Sequence, residues 1–108
     1  MQRILIIEDE TDMQFILTDN LEAEGYSVTA VGAGQDGVTL AHEGGFDLII
    51  LDIMLPDING FEVCKQIRAE DPATPLIMLT AKGDEIDKVV GLEVGADDSL
   101  PRPFAMRE

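Results

Sequence analysis

Leu48-Ile49-Ile50-Leu51-Asp52-Ile53-Met54-Leu55-Pro56 is the stretch that decides how this chain folds. Four apolar residues in a row end on an acid, and a proline stands four positions after that acid. A run so short and so uniformly apolar reads as a strand buried on both faces, not as the alternating strand of a half-solvated sheet. Moving outward, similar runs occupy residues 4–7 and 76–79, with a weaker one at 98–100 just before two prolines, while 26–31 alternates like a strand. Amphipathic stretches lie between them. Residues 11–24 carry Phe15, Ile16 and Leu21 at helical spacing and are closed by Gly25. Residues 35–43 stop at Gly44-Gly45, and residues 61–70 carry Val63 and Ile67 and end before Pro72. Residues 84–94 carry Ile86, Val89, Val90 and Leu92 and end at Gly95. Strand and helix therefore alternate, which predicts a parallel sheet covered by helices. Five strands in 108 residues fit an α/β, flavodoxin-like doubly wound sheet of order 2-1-3-4-5. Such sheets bind ligands beyond the carboxyl ends of their strands, so the residues just after each strand should carry the chemistry.

Composition narrows the partners. The chain of 108 residues is one domain at most, with 45% hydrophobic residues, and reads as globular. Seven Lys and Arg stand against 22 Asp and Glu, a net charge of −15. That surface repels phosphate backbones and anionic lipid heads, which excludes direct nucleic-acid or membrane binding by this domain and favours metal cations and basic protein faces. The lone Cys64 has no disulfide partner in the chain, as expected in a reducing cytoplasm. No apolar run approaches the roughly twenty residues of a membrane helix, and no long apolar segment precedes the first acidic cluster. A fifth helix is expected after Phe104, yet the sequence stops at Glu108. Residues 1–108 are therefore expected to be the N-terminal piece of a longer protein, with the fifth helix missing or truncated.

The expected strand ends share a chemical theme. Glu8, Asp9 and Glu10 follow the first strand, Asp52 the third, Thr80, Ala81 and Lys82 the fourth, and Pro101 and Arg102 the fifth. The order 2-1-3-4-5 would bring Glu8, Asp9 and Asp52 together. Carboxylates packed close either raise a pKa or take up a cation. Mg²⁺ suits an oxygen site of one or two carboxylates that keeps waters and a place for phosphate. Acids also favour the first turn of a following helix, which would account for residues 8–10 without a metal. Asp52 has no capping duty, and its bland alternative is a turn-initiating Asp. Beside Mg²⁺ an Asp is a nucleophile toward phosphorus. The Thr80 hydroxyl, the Ala81 N–H and the Arg102 cation are the donors that the oxygens of a transferred phosphoryl group need.

The residues Ile4-Leu5-Ile6-Ile7-Glu8-Asp9-Glu10, Leu51-Asp52-Ile53-Met54-Leu55-Pro56-Asp57, Gly60, Thr80-Ala81 and Pro101-Arg102-Pro103-Phe104 together resemble the receiver domain of bacterial two-component response regulators. The stretch Gly91-Leu92-Glu93-Val94-Gly95-Ala96-Asp97-Asp98 resembles the subfamily with a winged-helix DNA-binding output domain. The resemblance implies that Asp52 accepts a phosphoryl group from a sensor histidine kinase. It implies that Asp9, Asp52 and the Met54 carbonyl ligate Mg²⁺, with Glu8 acting through water, and that Thr80 is the switch hydroxyl. It also implies a homodimer through the fourth helix, fifth strand and fifth helix, with Lys88, Asp97 and Asp98 as ion-pairing positions. Two residues depart from the family pattern. Arg102 stands where the family has lysine, which keeps the charge but changes its shape. Ser99 stands where the family usually has an aromatic residue that moves with the switch threonine. Phosphorylation at Asp52 is expected to survive these changes and its coupling to output to be altered. The same departures motivate the alternative of a phosphorylation-independent interaction module.

Other readings are weaker. Gly32-Ala33-Gly34-Gln35-Asp36-Gly37 matches G-x-G-x-x-G, a dinucleotide-binding pattern, but Asp36 would face a pyrophosphate. An Mg²⁺-dependent phosphatase would want a second acid two residues after its nucleophile, and that position is Met54. Flavin mononucleotide would need its phosphate loop after the first strand, where three acids stand. His42 is expected to be a surface or packing residue, Cys64 a helix-face residue without redox duty, and Met13, Met54, Met78 and Met106 core or core-edge fillers.

Overall fold

The computed structural model describes residues 1–81 and 85–102, without the side chains of 81, 85, 86 and 99–102. The elements run β1 (Arg3–Ile7), α1 (Thr11–Ala23), β2 (Ser27–Val31), α2 (Gly34–Glu43), β3 (Leu48–Asp52), α3 (Gly60–Glu70), β4 (Leu76–Ala81), α4 (Glu85–Glu93) and β5 (Asp98–Arg102). The strands form one parallel sheet in the order β2-β1-β3-β4-β5. This is the expected α/β doubly wound architecture. The fifth helix expected after Phe104 lies outside the described residues. Among the described residues no helix is long and apolar enough to cross a membrane.

The apolar runs are strands because both of their faces are covered. Side chains alternate along a strand, and β1 sends Leu5 and Ile7 into one core and Ile4 and Ile6 into the other. The first core joins Ile49 and Leu51 of β3 to Val38 and Ala41 of α2 and to Val63, Cys64 and Ile67 of α3. The second joins Ile50 and Leu79 to Leu17 of α1. α2 comes close to β1 because residue 37 is glycine: a Cβ there would stand 2.7 Å from Cγ1 of Ile7.

Two details depart from expectation, and a third adds to it. In α1 the buried stripe runs through Met13, Leu17 and Leu21, whereas Phe15 and Ile16 are 69% and 45% exposed. Two stripes can be drawn along this helix, and only the one with i, i+4 spacing faces the sheet. β5 continues through Pro101 to Arg102, beyond the expected end at Leu100. It is an edge strand, where a missing N–H costs no ladder bond if that side faces away from the sheet. Asp97, expected to pair across a dimer, is engaged within its own chain. Its Oδ2 accepts from Arg68 Nη2 at 2.9 Å and from the Leu76 N–H at 2.8 Å. Arg68 also donates to the carbonyls of Gly95 at 2.8 Å, Thr74 at 2.7 Å and Asp71 at 3.1 Å. One guanidinium thereby joins the end of α3, the start of β4 and the turn before β5, using the planar donor fork that lysine lacks.

Cys64 is fully buried on α3, with Sγ 3.6 Å from the Val94 carbonyl. Burial pushes its thiol pKa up. The native protein is therefore expected to be inert to a thiol reagent at neutral pH and to release one equivalent of reactive thiol on unfolding in guanidinium. Full reaction within minutes under native conditions would contradict this packing. His42 is a surface contact between helices: Nε2 lies 3.1 Å from the Gln66 carbonyl and Nδ1 lies 3.9 Å from Glu70.

Candidate functional site

Three polar residues are buried among those described, namely Glu8, Asp52 and Thr80, at 0%, 2% and 4% exposure. All lie at the carboxyl ends of neighbouring strands. Glu8 follows β1, Asp52 ends β3 and Thr80 is the penultimate residue of β4. Register explains the grouping, since Ile7 pairs with Leu51 and Asp52 pairs with Leu79. The apolar strands carry these groups to the edge where β1 and β3 diverge to opposite sides of the chain order, the place where such sheets bind ligands.

Backbone and side-chain bonds set the first loop. The Glu8 N–H continues the sheet by donating to the Val31 carbonyl at 3.0 Å. The Glu8 carboxylate accepts from the Glu10 N–H at 2.9 Å, and the Glu8 carbonyl accepts from Gln14 Nε2 at 2.7 Å. Asp9 is exposed beside it. Among the described residues no three His, Cys, Asp or Glu side chains gather into a metal-holding group. One oxygen of the Glu8 carboxylate is thus engaged by its own loop. The carboxylates of Asp9 and Asp52 and the carbonyl of Met54 are oxygen donors, the chemistry that Mg²⁺ takes with waters completing its shell.

The second loop, residues 53–59, joins β3 to α3. The Gly60 N–H donates to the Ile53 carbonyl at 2.8 Å, closing the loop. Asn59 caps α3, with its Oδ1 accepting from the Phe61 N–H at 2.7 Å. Met54 is 72% exposed, which corrects its expected place as a core-edge filler. Its neighbours Leu55 and Ile58 take the inward positions, and Met78 is the methionine that fills the core. Met13 is half-buried as expected, and Met106 lies outside the described residues.

Asp57 has a role that the sequence reading missed. Its Oδ1 and Oδ2 accept from the N–H groups of Gly34 and Gln35 at 2.8 and 2.9 Å. Those two donors hold its pKa below the ordinary carboxylate value, the Gln35 bond contributing most. The bond also removes the dinucleotide reading of residues 32–37. The α2 N-terminus, where a pyrophosphate would sit, is already occupied by a carboxylate of the same chain. The glycine at 34 serves packing, because a Cβ there would stand 2.8 Å from both Ile58 Cγ1 and Val63 Cγ2. The signal for Asp57 was present only as an acid after Pro56, since its partners are 22 and 23 positions away.

On the other side of the site, β4 ends at Ala81, whose Cα partner in β5 is Arg102. The backbone puts Arg102 one strand from Thr80. The Ala81, Ser99 and Arg102 side chains, and all of Lys82, fall outside the described residues. Lys88 and Asp98 are exposed.

Comparison with known proteins gives a consistent picture. The response regulator receiver domain family matches residues 4–108. The chain is similar to the alkaline phosphatase synthesis transcriptional regulatory protein PhoP of Bacillus subtilis (strain 168), 46% identical over 107 residues that cover 99% of this chain and 45% of that protein. It is similar to the response regulator ArlR of Staphylococcus aureus (strain USA300), 48% identical over 108 residues that cover 100% of this chain and 49% of that protein. The chain spans about half the length of these curated relatives. Among solved structures it resembles the receiver domain of the sensor histidine kinase PA1611 from Pseudomonas aeruginosa PAO1, in which a magnesium ion is coordinated in the active site cleft. That likeness has a TM-score of 0.90 and 33% identity, over 98% of this chain and 88% of the other.

Proposed function

Since the chain belongs to the response regulator receiver domain family, a family of signalling proteins, we propose that it takes a phosphoryl group from a sensor histidine kinase onto Asp52. The observation that supports this reading most is the near-complete burial of the Asp52 carboxylate at the end of a central strand, beside Glu8 and one strand from Thr80. A carboxylate in that position has a fixed direction of approach and little competing water.

In the proposed transfer an Asp52 oxygen forms a bond to phosphorus while the phosphorus–nitrogen bond to the kinase's histidine breaks. The imidazole nitrogen keeps the electron pair, and the product is an acyl phosphate. Asp9, Asp52 and the Met54 carbonyl would hold Mg²⁺, with Glu8 acting through water. The ion would offset the repulsion between the carboxylates and the incoming group. The Thr80 hydroxyl and the Ala81 N–H would donate to the phosphoryl oxygens, and Arg102 would supply a fixed positive charge. Residues 1–108 would be the receiver half of a longer cytoplasmic regulator whose winged-helix segment binds DNA. Phosphorylation would favour a homodimer through α4 and β5. Val89 and Leu92 of α4, 54% and 43% exposed, give that face an apolar component.

Acetyl phosphate is the direct test. The protein with Mg²⁺ and acetyl phosphate is expected to gain the mass of one phosphoryl group, and to gain nothing when EDTA is added. Loss of the metal removes the charge compensation on which the step depends. No mass gain with Mg²⁺ present would overturn the reading in favour of a phosphorylation-independent interaction module, the alternative that Ser99 and Arg102 motivate.

A further inference from the structure

The loop that carries Met54 is held from a distance. α2 begins without a cap of its own, since the side chain of Ala33 makes no cap bond. Its first two N–H groups are instead satisfied by both oxygens of Asp57. Leu55 and Ile58 of the same loop press on the first residue of α2, as the 3.2 and 2.8 Å approaches to a Cβ at Gly34 show. Met54 itself makes no such anchor, being largely exposed. The placing of its carbonyl therefore depends on how firmly the residues around it are fastened.

We propose that Asp57 is a positioning residue for divalent-cation binding: its bidentate bond to the start of α2 presets the 53–59 loop, so that the Met54 carbonyl and the Asp52 carboxylate face one place. This rests on the proposed Mg²⁺ site and adds to it a residue that touches neither metal nor phosphate. Outer groups of this kind typically change metal affinity by about tenfold or more when removed. The carboxylate suits the task because it engages two donors at once, and charge-assisted bonds to N–H groups are stronger than neutral ones.

The test is calorimetric titration of the metal-free protein with Mg²⁺, alongside amide NMR without metal. Asp57→Ala is expected to weaken Mg²⁺ binding about tenfold and to move or broaden the amide signals of residues 53–58 before any metal is added. Asp57→Asn, which keeps the shape and one acceptor, should fall between alanine and the natural residue. Asn59→Ala is the control: it removes the cap of α3 from the same loop, lowers thermal stability, and should leave Mg²⁺ affinity within about twofold. The ratio between Asp57→Ala and the natural protein should persist at about 0.5 M salt, where loss of a remote charge is screened. Equal Mg²⁺ affinity with and without Asp57, an equal loss in Asn59→Ala, or a difference that vanishes in salt would each overturn the proposal while leaving the metal site itself standing. Absence of Mg²⁺ binding by the natural protein would instead overturn the site.

Discussion

Asp52→Ala is expected to abolish phosphoryl uptake from acetyl phosphate, with no mass gain at any Mg²⁺ concentration. The proposed chemistry has one nucleophile, and alanine has no atom that can form the anhydride. Asp52→Glu is the more searching variant. It keeps the carboxylate but sets it one methylene farther from the end of β3, and a misplacement of about 1 Å typically costs about 100-fold in rate. The expected result is uptake at least about 100-fold slower than for the natural protein. Uptake that survives Asp52→Ala would show that another residue is the acceptor. Uptake by Asp52→Glu at the natural rate would show that the strand end does not set the geometry of approach.

The second large effect is expected at Gly60. A Cβ at this position would collide with the Asp52 carbonyl and would lie 2.5 Å from the Ile53 Cα. Those are backbone atoms, which cannot rotate away as the tip of a side chain can. Gly60→Ala must therefore push α3 off the end of β3. Overpacking of this kind costs roughly 3 kcal/mol, a large part of the roughly 5–15 kcal/mol that holds a domain together. The expected fall in Tm is about 15 °C. Phosphoryl uptake should fall with it even at temperatures where the variant stays folded, because the displaced backbone includes Asp52. Gly37→Ala makes a useful contrast. The three atoms nearest to its Cβ would all belong to the Ile7 side chain, which can shift, so stability should fall without an equal loss of uptake. Normal stability in Gly60→Ala would contradict the close approach of α3 to β3.

The architecture was legible because the strands announce themselves. Residues 4–7, 48–51 and 76–79 are apolar at every position, and only a sheet covered on both sides buries such runs. The acids and the threonine that follow them were legible for the same reason, since the topology sends every strand end to one edge. Three things were not. The buried stripe of α1 runs through Met13, Leu17 and Leu21, four positions apart, whereas Phe15 and Ile16 draw the eye as large apolar residues that lie off that stripe. Spacing alone does not say which side meets the sheet. Hydrophobicity alone puts Met54 at the core edge, yet in its loop Leu55 and Ile58 take the inward positions and leave Met54 exposed. Asp57 and Arg68 were invisible because their work is done across 22 or more positions, by Asp57 to α2 and by Arg68 to Asp97. Long-range hydrogen bonds have no periodicity to read.

The four hydrogen bonds of Arg68 all lie at the end of the sheet opposite the carboxylates. They make that end ballast. Restraint is unevenly spread: a single charged group fastens the amino ends of β4 and β5 to α3, so a substitution of Arg68 is felt first at the end of the sheet away from Asp52.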